Sequence, residues 1–285
     1  MIQRLEVRSD DVEAVVLPGC GARLHRLRAF GRDLLRTPDD PGVHWDDPFF
    51  WGAYPMAPWC NRVPPGKHVV DGRTVVLNPN FVDGTAIHGQ LFRAPWTVVE
   101  DTRLTVSAGG DGWPWTYDVT LDLAVDADRL ELAYRLDNTS DAAMPAGLGL
   151  HPWFRKPVRL TVPARRVFPV NADPPPWPEP VAGAFDLREP GPLADDLDAT
   201  WTDLDERAVV LSWPDVSARM EFSASAGFVV AASPAQLDAV AVEPQTHAPD
   251  GLARLAAGLP GGLTVLAPGE SLELRVSWTV TRADG

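Results

Sequence analysis

The sequence predicts an all-β protein, a large antiparallel β-sandwich in which residues 1–285 form a single domain. Apolar and polar residues alternate along five runs, as they do in half-buried antiparallel strands. The 29 prolines and 23 glycines fall between these runs, where turns need them. Helical patterns are scarce, and the best of them, Pro249–Leu255, predicts a short turn at most. The five runs are Arg73–Leu77, Tyr117–Val125, Arg129–Leu136, Ala208–Trp213 and Ser271–Val280.

The segments between the runs agree with this assignment. The turn-like residues Asp126–Asp128 separate two of the alternating runs, so Tyr117–Leu136 is predicted to be a hairpin. The proline-rich segment Asp173–Pro178 must be a loop. Because strand-rich sequence lies on both sides of this loop, it is not a linker between domains. No internal repeat interrupts the chain, and one large domain follows.

The charge balance excludes several classes of function. The chain has 25 basic and 39 acidic residues, and the net charge of −14 repels nucleic acids and anionic lipids. It also disfavours a heavily phosphorylated substrate. The first residues are charged and form no apolar signal segment, and no apolar run approaches the ~18 residues that a membrane helix needs. We therefore expect a cytoplasmic protein without nucleic-acid or membrane partners.

The sequence contains no familiar motif for a metal, a nucleotide or a serine nucleophile. Two cysteines, Cys20 and Cys60, do not make a disulfide framework and have no CxxC spacing, so both are predicted to be buried reduced thiols. No HxH or HExxH pair indicates zinc, and no P-loop, GxGxxG or GxSxG pattern is present. The acidic segment Asp195–Asp198 lacks the spacing of a calcium loop.

Two of the six histidines stand in sequence suited to a binding pocket. His88 follows a polar loop, and His151 follows glycines and precedes Pro152 and two aromatic residues. The proline favours an extended conformation at His151, and the aromatics supply an apolar wall. Either His151 lies at a pocket edge, or it is a core histidine bonded to a backbone carbonyl. His25 lies among arginines and is predicted to be on the surface, and neither His44 nor His68 has a convincing chemical neighbourhood.

Glu243 and Arg62 are the remaining candidates for chemistry. Glu243 ends an apolar run and precedes Pro244, which is predicted to end the strand. A carboxylate there is costly unless it has partners or a task, and burial would raise its pKa toward that of a useful base. The alternative is a structural carboxylate that caps backbone amides. Arg62 follows an apolar segment and offers a rigid fork of donors, suited to fixing hydroxyls or orienting a carboxylate. The alternative, which is the common case for such a pattern, is an exposed arginine before a turn.

Five segments resemble motifs of the aldose 1-epimerase family, and they occur in the family's order from near residue 15 to near residue 280. Each is weakly specific alone, and the ordered set is specific. They are Pro55–Gly66, Ala86–Gly89 with Trp96, Asn138–Phe154, Phe185–Trp201 and Val242–Thr246. The resemblance implies a galactose mutarotase-like β-sandwich, which agrees with the strand pattern, and a monomer or homodimer that acts on a small sugar.

The resemblance also implies catalytic roles. Glu243 would take the proton from the anomeric hydroxyl, and His151 would protonate the ring oxygen, so that the sugar ring opens and closes again. Arg62 and His88 would hold the sugar and favour charge at the ring oxygen. Asp198 would accept hydrogen bonds from sugar hydroxyls. No metal or organic cofactor would be required.

Further side chains would complete this implied site. Asn61 would support it, and Trp59, Trp153 and Phe154 are suited to pack on the apolar face of a pyranose, although aromatic residues are more often plain core. In one respect the chain departs from the family. Many members carry a glutamine on a strand between the aspartate and glutamate motifs, but Phe228–Ser233 contains none, which leaves the preferred hydroxyl pattern open.

Two alternatives share the same fold. A sugar-phosphate epimerase would need extra cations at the pocket mouth. The basic residues available for this are Arg73, Arg93, Arg155 and Lys156. A sugar-binding module without catalysis would keep the pocket but could dispense with His151 or Glu243.

Overall fold

The computed structural model describes residues 2–170 and 173–283. Strands make up most of the regular structure. The first thirteen are β1 (Leu5–Arg8), β2 (Val12–Leu17), β3 (Arg23–Ala29), β4 (Arg32–Asp33), β5 (Ala53–Met56), β6 (Arg62–Val63), β7 (His68–Val70), β8 (Arg73–Val75), β9 (Ala86–Ile87), β10 (Thr97–Glu100), β11 (Arg103–Gly110), β12 (Trp113–Asp126) and β13 (Arg129–Asn138). The others are β14 (Met144–Ala146), β15 (Gly149–Arg155), β16 (Arg159–Thr161), β17 (Ala164–Phe168), β18 (Glu179–Pro180), β19 (Leu197–Leu204), β20 (Ala208–Ser212), β21 (Val216–Phe222), β22 (Phe228–Ser233), β23 (Ala239–Gln245), β24 (Thr264–Leu266) and β25 (Ser271–Arg282).

Helical structure is confined to short segments. Two α-helices, α1 (Val43–Asp46) and α2 (Gly251–Ala256), and two 3₁₀ turns, Leu91–Arg93 and Gly183–Phe185, occur within the described residues. The predicted short turn at Pro249–Leu255 corresponds to α2. No helix among residues 2–170 and 173–283 is long and apolar enough to cross a membrane.

Two large antiparallel sheets form the sandwich. The first sheet has the strand order β1-β2-β3-β5-β15-β23-β22-β19-β17-β18, and β4 pairs with β3. The second has the order β10-β11-β12-β13-β25-β21-β20-β16. Apolar residues from both sheets, among them Leu24, Leu121 and Trp278, belong to one buried cluster. The predicted all-β sandwich class is therefore confirmed.

The alternating sequences form strands that expose one face. β12 and β13 pair over ten residues from Tyr117–Asn138 to Asp126–Arg129, so the predicted hairpin is confirmed. Buried positions recur at every second residue in both strands, which is the pattern of a sheet with one face on the core. The five predicted runs correspond to β8, β12, β13, β20 and β25, with ends that differ by a few residues.

The centre of the first sheet is buried on both faces. Every residue of β23, and all of β15 except Arg155, is buried. The sequence predicted that Pro244 would end its strand. This prediction was wrong, since β23 continues to Gln245. Between β15 and β23 the ladder pairs Gly149 with Gln245 and resumes at Trp153 with Ala241. Pro152 and Pro244 lie in this interval and offer no N–H to the ladder.

Candidate functional site

The register of the first sheet brings the predicted acid–base residues together. Because Gly149 pairs with Gln245 and Trp153 with Ala241, His151 lies opposite Glu243. On the other side of β15, His151 pairs with Tyr54 of β5. Cross-strand partners share a face of the sheet, so these side chains form a row across three strands.

A second row lies two residues along the same face. Trp153 pairs with Ala241, Ala241 with Ala232, and Ala232 with Asp198 of β19. Side chains two residues apart on a strand point to the same side. The two rows therefore form the floor of one cavity of about 130 Å³, which Asp198 borders at one side.

His151 and Glu243 are in direct contact. His151 Nε2 lies 3.1 Å from Glu243 Oε1, and the two side chains are 7% and 3% exposed. Burial, and next the neighbouring Asp198 charge, raise the pKa of Glu243 well above its usual range. Burial, and then His88 and Arg23, lower the pKa of His151. Both shifts favour an uncharged pair that holds one proton, as a dry environment requires.

An amide chain fixes the orientation of Glu243. Gln245 Nε2 donates to Glu243 Oε2 at 2.9 Å, and Asn61 Nδ2 donates to Gln245 Oε1 at 2.8 Å. Asn61 and Gln245 are both buried. Because one carboxylate oxygen is bonded to Gln245, the other is left directed at His151.

Two short strands bring Arg62 and His88 to the cavity. In the β6–β9 pair, Arg62 lies opposite Ile87, and the N–H of His88 donates to the carbonyl of Asn61 at 3.1 Å. Both Asn61 and His88 have positive φ angles, 57° and 60°. Such a conformation is unusual for histidine, and residues held in it often belong to functional sites.

The two cavity side chains from this pair differ in charge. Burial, together with the charge of Arg62, lowers the pKa of His88 to about 3, so this imidazole is neutral near pH 7. Arg62 is half-buried, and its Nε donates to Asp83 Oδ2 at 2.8 Å. The site thus contains one guanidinium already paired with a carboxylate and one neutral imidazole that can bond a hydroxyl.

Aromatic side chains form the walls. The Tyr54 ring stacks on His151 with centroids 4.6 Å apart, and Trp153 lies 5.2 Å from the same imidazole. Tyr54 Oη and Trp153 Nε1 both donate to the carbonyl of Phe49, at 3.1 and 2.5 Å. The half-buried rings of Phe49, Phe50 and Phe81 also line the cavity. Such surfaces pack well against the C–H face of a sugar ring.

All seven residues predicted for the site line this one cavity. They are Asn61, Arg62, His88, His151, Trp153, Asp198 and Glu243. Two aromatic candidates lie elsewhere. Trp59 lines a neighbouring cleft, and Phe154 is buried against Trp213 on the other face of the strand. Their residue type alone could not distinguish them from Trp153, because the sheet face decides which aromatic reaches the cavity.

The prediction for His25 was wrong. His25 is 3% exposed, and its Nδ1 lies 2.9 Å from Nε2 of the buried His44. β3 buries His25 against the α1 segment despite the flanking arginines, and burial lowers the pKa of His25 to about 4.

His247 is also buried outside the site. It is structural because its Nε2 accepts from the Cys60 N–H and its Nδ1 donates to the Ala248 carbonyl. The two cysteines are free and buried, as predicted.

Gln245 and Tyr54 contact the acid–base pair but were not predicted from the sequence. Gln245 follows Glu243 by two residues, and the period of a strand could have placed both on one face. Tyr54 has no sequence signal, because only the β5–β15 register brings it to His151.

The cations proposed for a phosphate lie away from the cavity. Arg155 donates to the carbonyls of Leu35 and Thr37, and Lys156 faces Asp195 at 3.6 Å. Arg73 and Arg93 line other hollows. Among the described residues that line the cavity, Arg62 is the one with a permanent positive charge.

The arrangement suits proton transfer on a neutral polar molecule. It offers an acid–base pair, side chains that bond hydroxyls, and aromatic walls. Within residues 2–170 and 173–283, no group of three or more His, Cys, Asp and Glu side chains is placed to hold a metal ion.

Replacing Gln245 with leucine tests the amide chain. We expect Gln245→Leu to lower the rate of the reaction at this site about 10- to 100-fold, because Glu243 loses the bond that orients it. Asn138→Leu is the matched control, since Asn138 is a buried amide bonded to the carbonyls of Ala142 and Leu266 outside the cavity. Equal rates for the Gln245 variant and the parent would show that the amide does not orient the carboxylate.

Comparisons with known proteins show which family and fold the chain resembles. A family model described as aldose 1-epimerase matches residues 3–279. The uncharacterized protein YphB of Escherichia coli (strain K12) is 27% identical over 88% of this chain and 92% of its own. A galactose mutarotase-like protein from Clostridium acetobutylicum superimposes with a TM-score of 0.84, at 16% identity over 98% of this chain and 95% of the other. A galactose 1-epimerase from Lactobacillus acidophilus NCFM gives a TM-score of 0.78, at 20% identity over 98% and 94%.

Proposed function

Because the chain belongs to the aldose 1-epimerase family, we propose that it interconverts the α and β anomers of a free aldohexose. The observation that carries the proposal is the 3.1 Å contact between His151 Nε2 and Glu243 Oε1 at the floor of the cavity. Opening a sugar ring requires a proton to leave one oxygen while another oxygen gains one. Both oxygens are bonded to C1, so an acid and a base side by side can reach them together.

The reaction proceeds through an open-chain aldehyde. Glu243 takes the proton of the anomeric hydroxyl, and O1 becomes the carbonyl oxygen as the C1–O5 bond breaks. The electron pair of that bond goes to O5, which receives a proton from His151. Rotation about C1–C2 presents the other face of the aldehyde, and the same two groups then act in reverse to close the ring.

The protonation states of the pair fit this cycle. The reacting form, carboxylate with imidazolium, has the same single proton as the uncharged pair that burial favours. The two forms differ by one proton transfer across the contact between the side chains. The Gln245 N–H and the Arg62 guanidinium both favour the carboxylate, and so oppose the upward shift of the Glu243 pKa.

The remaining side chains hold the sugar. Asp198 accepts hydrogen bonds from hydroxyls, Arg62 and the neutral His88 bond the oxygens near the reacting carbon, and Trp153 packs on the ring. Asn61 acts through Gln245. The cavity contains two carboxylates and a single guanidinium that is already paired, which favours a neutral sugar over a sugar phosphate.

Polarimetry tests the function and its substrate class. Freshly dissolved α-D-glucose and α-D-galactose should lose optical rotation faster with the protein than without it, in proportion to protein concentration. Glucose 6-phosphate should give a kcat/KM at least about tenfold lower, because its phosphate meets no free cation. A higher kcat/KM for glucose 6-phosphate would assign a sugar-phosphate epimerase. Binding of sugar without any acceleration would assign a binding module.

A further inference from the structure

Arg23 is buried without an ion-pair partner. Its side chain is 0% exposed, and none of the ion pairs formed by residues 2–170 and 173–283 includes it. Its donors instead reach three backbone carbonyls: Nη1 lies 2.6 Å from Trp51 O, and Nη2 lies 2.7 Å from Pro48 O and 3.4 Å from Phe92 O. A buried guanidinium with no carboxylate in direct contact is costly. Such a group calls for an explanation in terms of what it holds in place.

The three carbonyls belong to the wall of the cavity. Pro48 and Trp51 flank Phe49 and Phe50, whose rings line the site, and these four residues form the wall segment 48–51. Phe92 packs against Phe49 with ring centroids 5.2 Å apart. One guanidinium therefore joins both ends of the wall segment to the turn that supports it.

Arg23 also reaches the acid–base pair through an aromatic ring. Its guanidinium carbon lies 4.5 Å from the centroid of the Tyr54 ring, and that ring stacks on His151 with an interplanar angle of 25°. A cation held against an aromatic face in a dry site is strongly attracted to it. Its positive charge also disfavours a second positive charge on the neighbouring imidazole.

We propose that Arg23 is a positioning residue of the site, which fixes the carbonyls of the wall segment and, from behind Tyr54, places its positive charge against the ring that stacks on His151. The charge of Arg23 acts on the imidazole, and its fork of donors acts on the wall. The direction of the His151 pKa shift agrees, since burial lowers it first, and the neighbouring His88 and the charge of Arg23 lower it further. The other titratable or charged groups around His151 are Tyr54, Glu243, Asp198 and Arg62.

Three substitutions separate the two actions. Arg23→Met removes charge and donors, Arg23→Gln removes the charge but keeps N–H donors, and Arg23→Lys keeps the charge but loses the fork. Arg254→Met is the matched control. Arg254 is also buried, bonded to the carbonyls of Pro249, Pro260 and Pro176, and placed over the ring of Phe168, but it does not line the cavity.

The first measurement is the pH titration of the His151 imidazole signal by NMR on histidine-labelled protein, assigned with a His151→Asn sample. In Arg23→Met and Arg23→Gln the titration should move to higher pH by about 0.5 to 1 unit, because removing a nearby cation raises the imidazole pKa. Arg23→Lys and Arg254→Met should titrate as the parent does. An unchanged titration in both uncharged variants would overturn the proposal, and having two such variants covers the case in which one fails to fold.

The kinetic measurement rests on the proposed function. In the uncharged variants, both limbs of the pH profile of kcat/KM should move to higher pH. Arg23→Lys should raise KM about three- to tenfold while the pH values of both limbs stay as in the parent. A KM for Arg23→Lys equal to that of the parent would refute the action on the wall. If the parent protein shows no turnover but the His151 titration still shifts in the uncharged variants, the proposed function is refuted and the assignment of Arg23 stands.

Discussion

Glu243→Gln and His151→Asn are each expected to lower kcat for anomer interconversion by about 10²- to 10⁴-fold. Both substitutions nearly preserve size, so the cavity keeps its shape while the acid–base pair loses one member. Because the two groups act as a unit, the double variant should be little slower than either single variant. The measurement is the initial rate of change in optical rotation of α-D-glucose and α-D-galactose.

Two controls make this result specific. Glu6→Gln removes an exposed carboxylate far along the chain from the site and should leave the rate unchanged. The Glu243→Gln substitution should weaken sugar binding by a smaller factor than it lowers kcat, because the walls and Asp198 are intact. A Glu243→Gln protein as fast as the parent would remove this residue from the reaction, whatever its contact with His151.

Gly89→Ala is expected to cost at least about 3 kcal/mol of the free energy of unfolding. Gly89 has a φ of 72°, and a Cβ there would lie 1.9 Å from the carbonyl oxygen of Ala57. The added Cβ would meet backbone atoms of Ala57, so no flexible side chain can move out of the way. Chemical denaturation of the variant and the parent measures the loss.

The same substitution should also reduce activity in the fraction that folds. Gly89 follows His88 directly and forms an isolated bridge to Ala57, so any displacement moves His88 in the cavity. Gly112→Ala is the control, since its Cβ would lie 1.8 Å from the carbonyl oxygen of Val76, outside the cavity lining. Gly112→Ala should lose comparable stability and keep its activity per folded molecule. Full activity in folded Gly89→Ala would contradict the placement of His88.

The sequence was most informative where one face of a strand meets water. β12, β13 and β25 alternate over most of their length, and their alternation predicted both the class of fold and a hairpin. β15 and β23 do not alternate, because one face packs on the core while the other carries the site. Periodicity cannot identify such strands. The motif resemblance was therefore what directed attention to His151 and Glu243.

The geometry of the site depended on register, which the sequence does not reveal. The opposition of His151 and Glu243, and the stacking of Tyr54, follow from pairings between residues about 90 to 100 positions apart along the chain. The burial of Arg23 was still harder to predict, since its sequence neighbours suggest a basic surface strand. It is buried because three carbonyls of distant segments accept its donors.

The most direct test of the central claim is exchange NMR on a sugar at equilibrium. Magnetisation transfer between the anomeric protons of α- and β-D-glucose reports interconversion itself, without any change in composition. We predict that the parent protein increases this exchange in proportion to its concentration, and that His151→Asn and Glu243→Gln return it close to the rate in buffer. Exchange that is no faster with the parent than in buffer, for glucose and for galactose, would contradict the account.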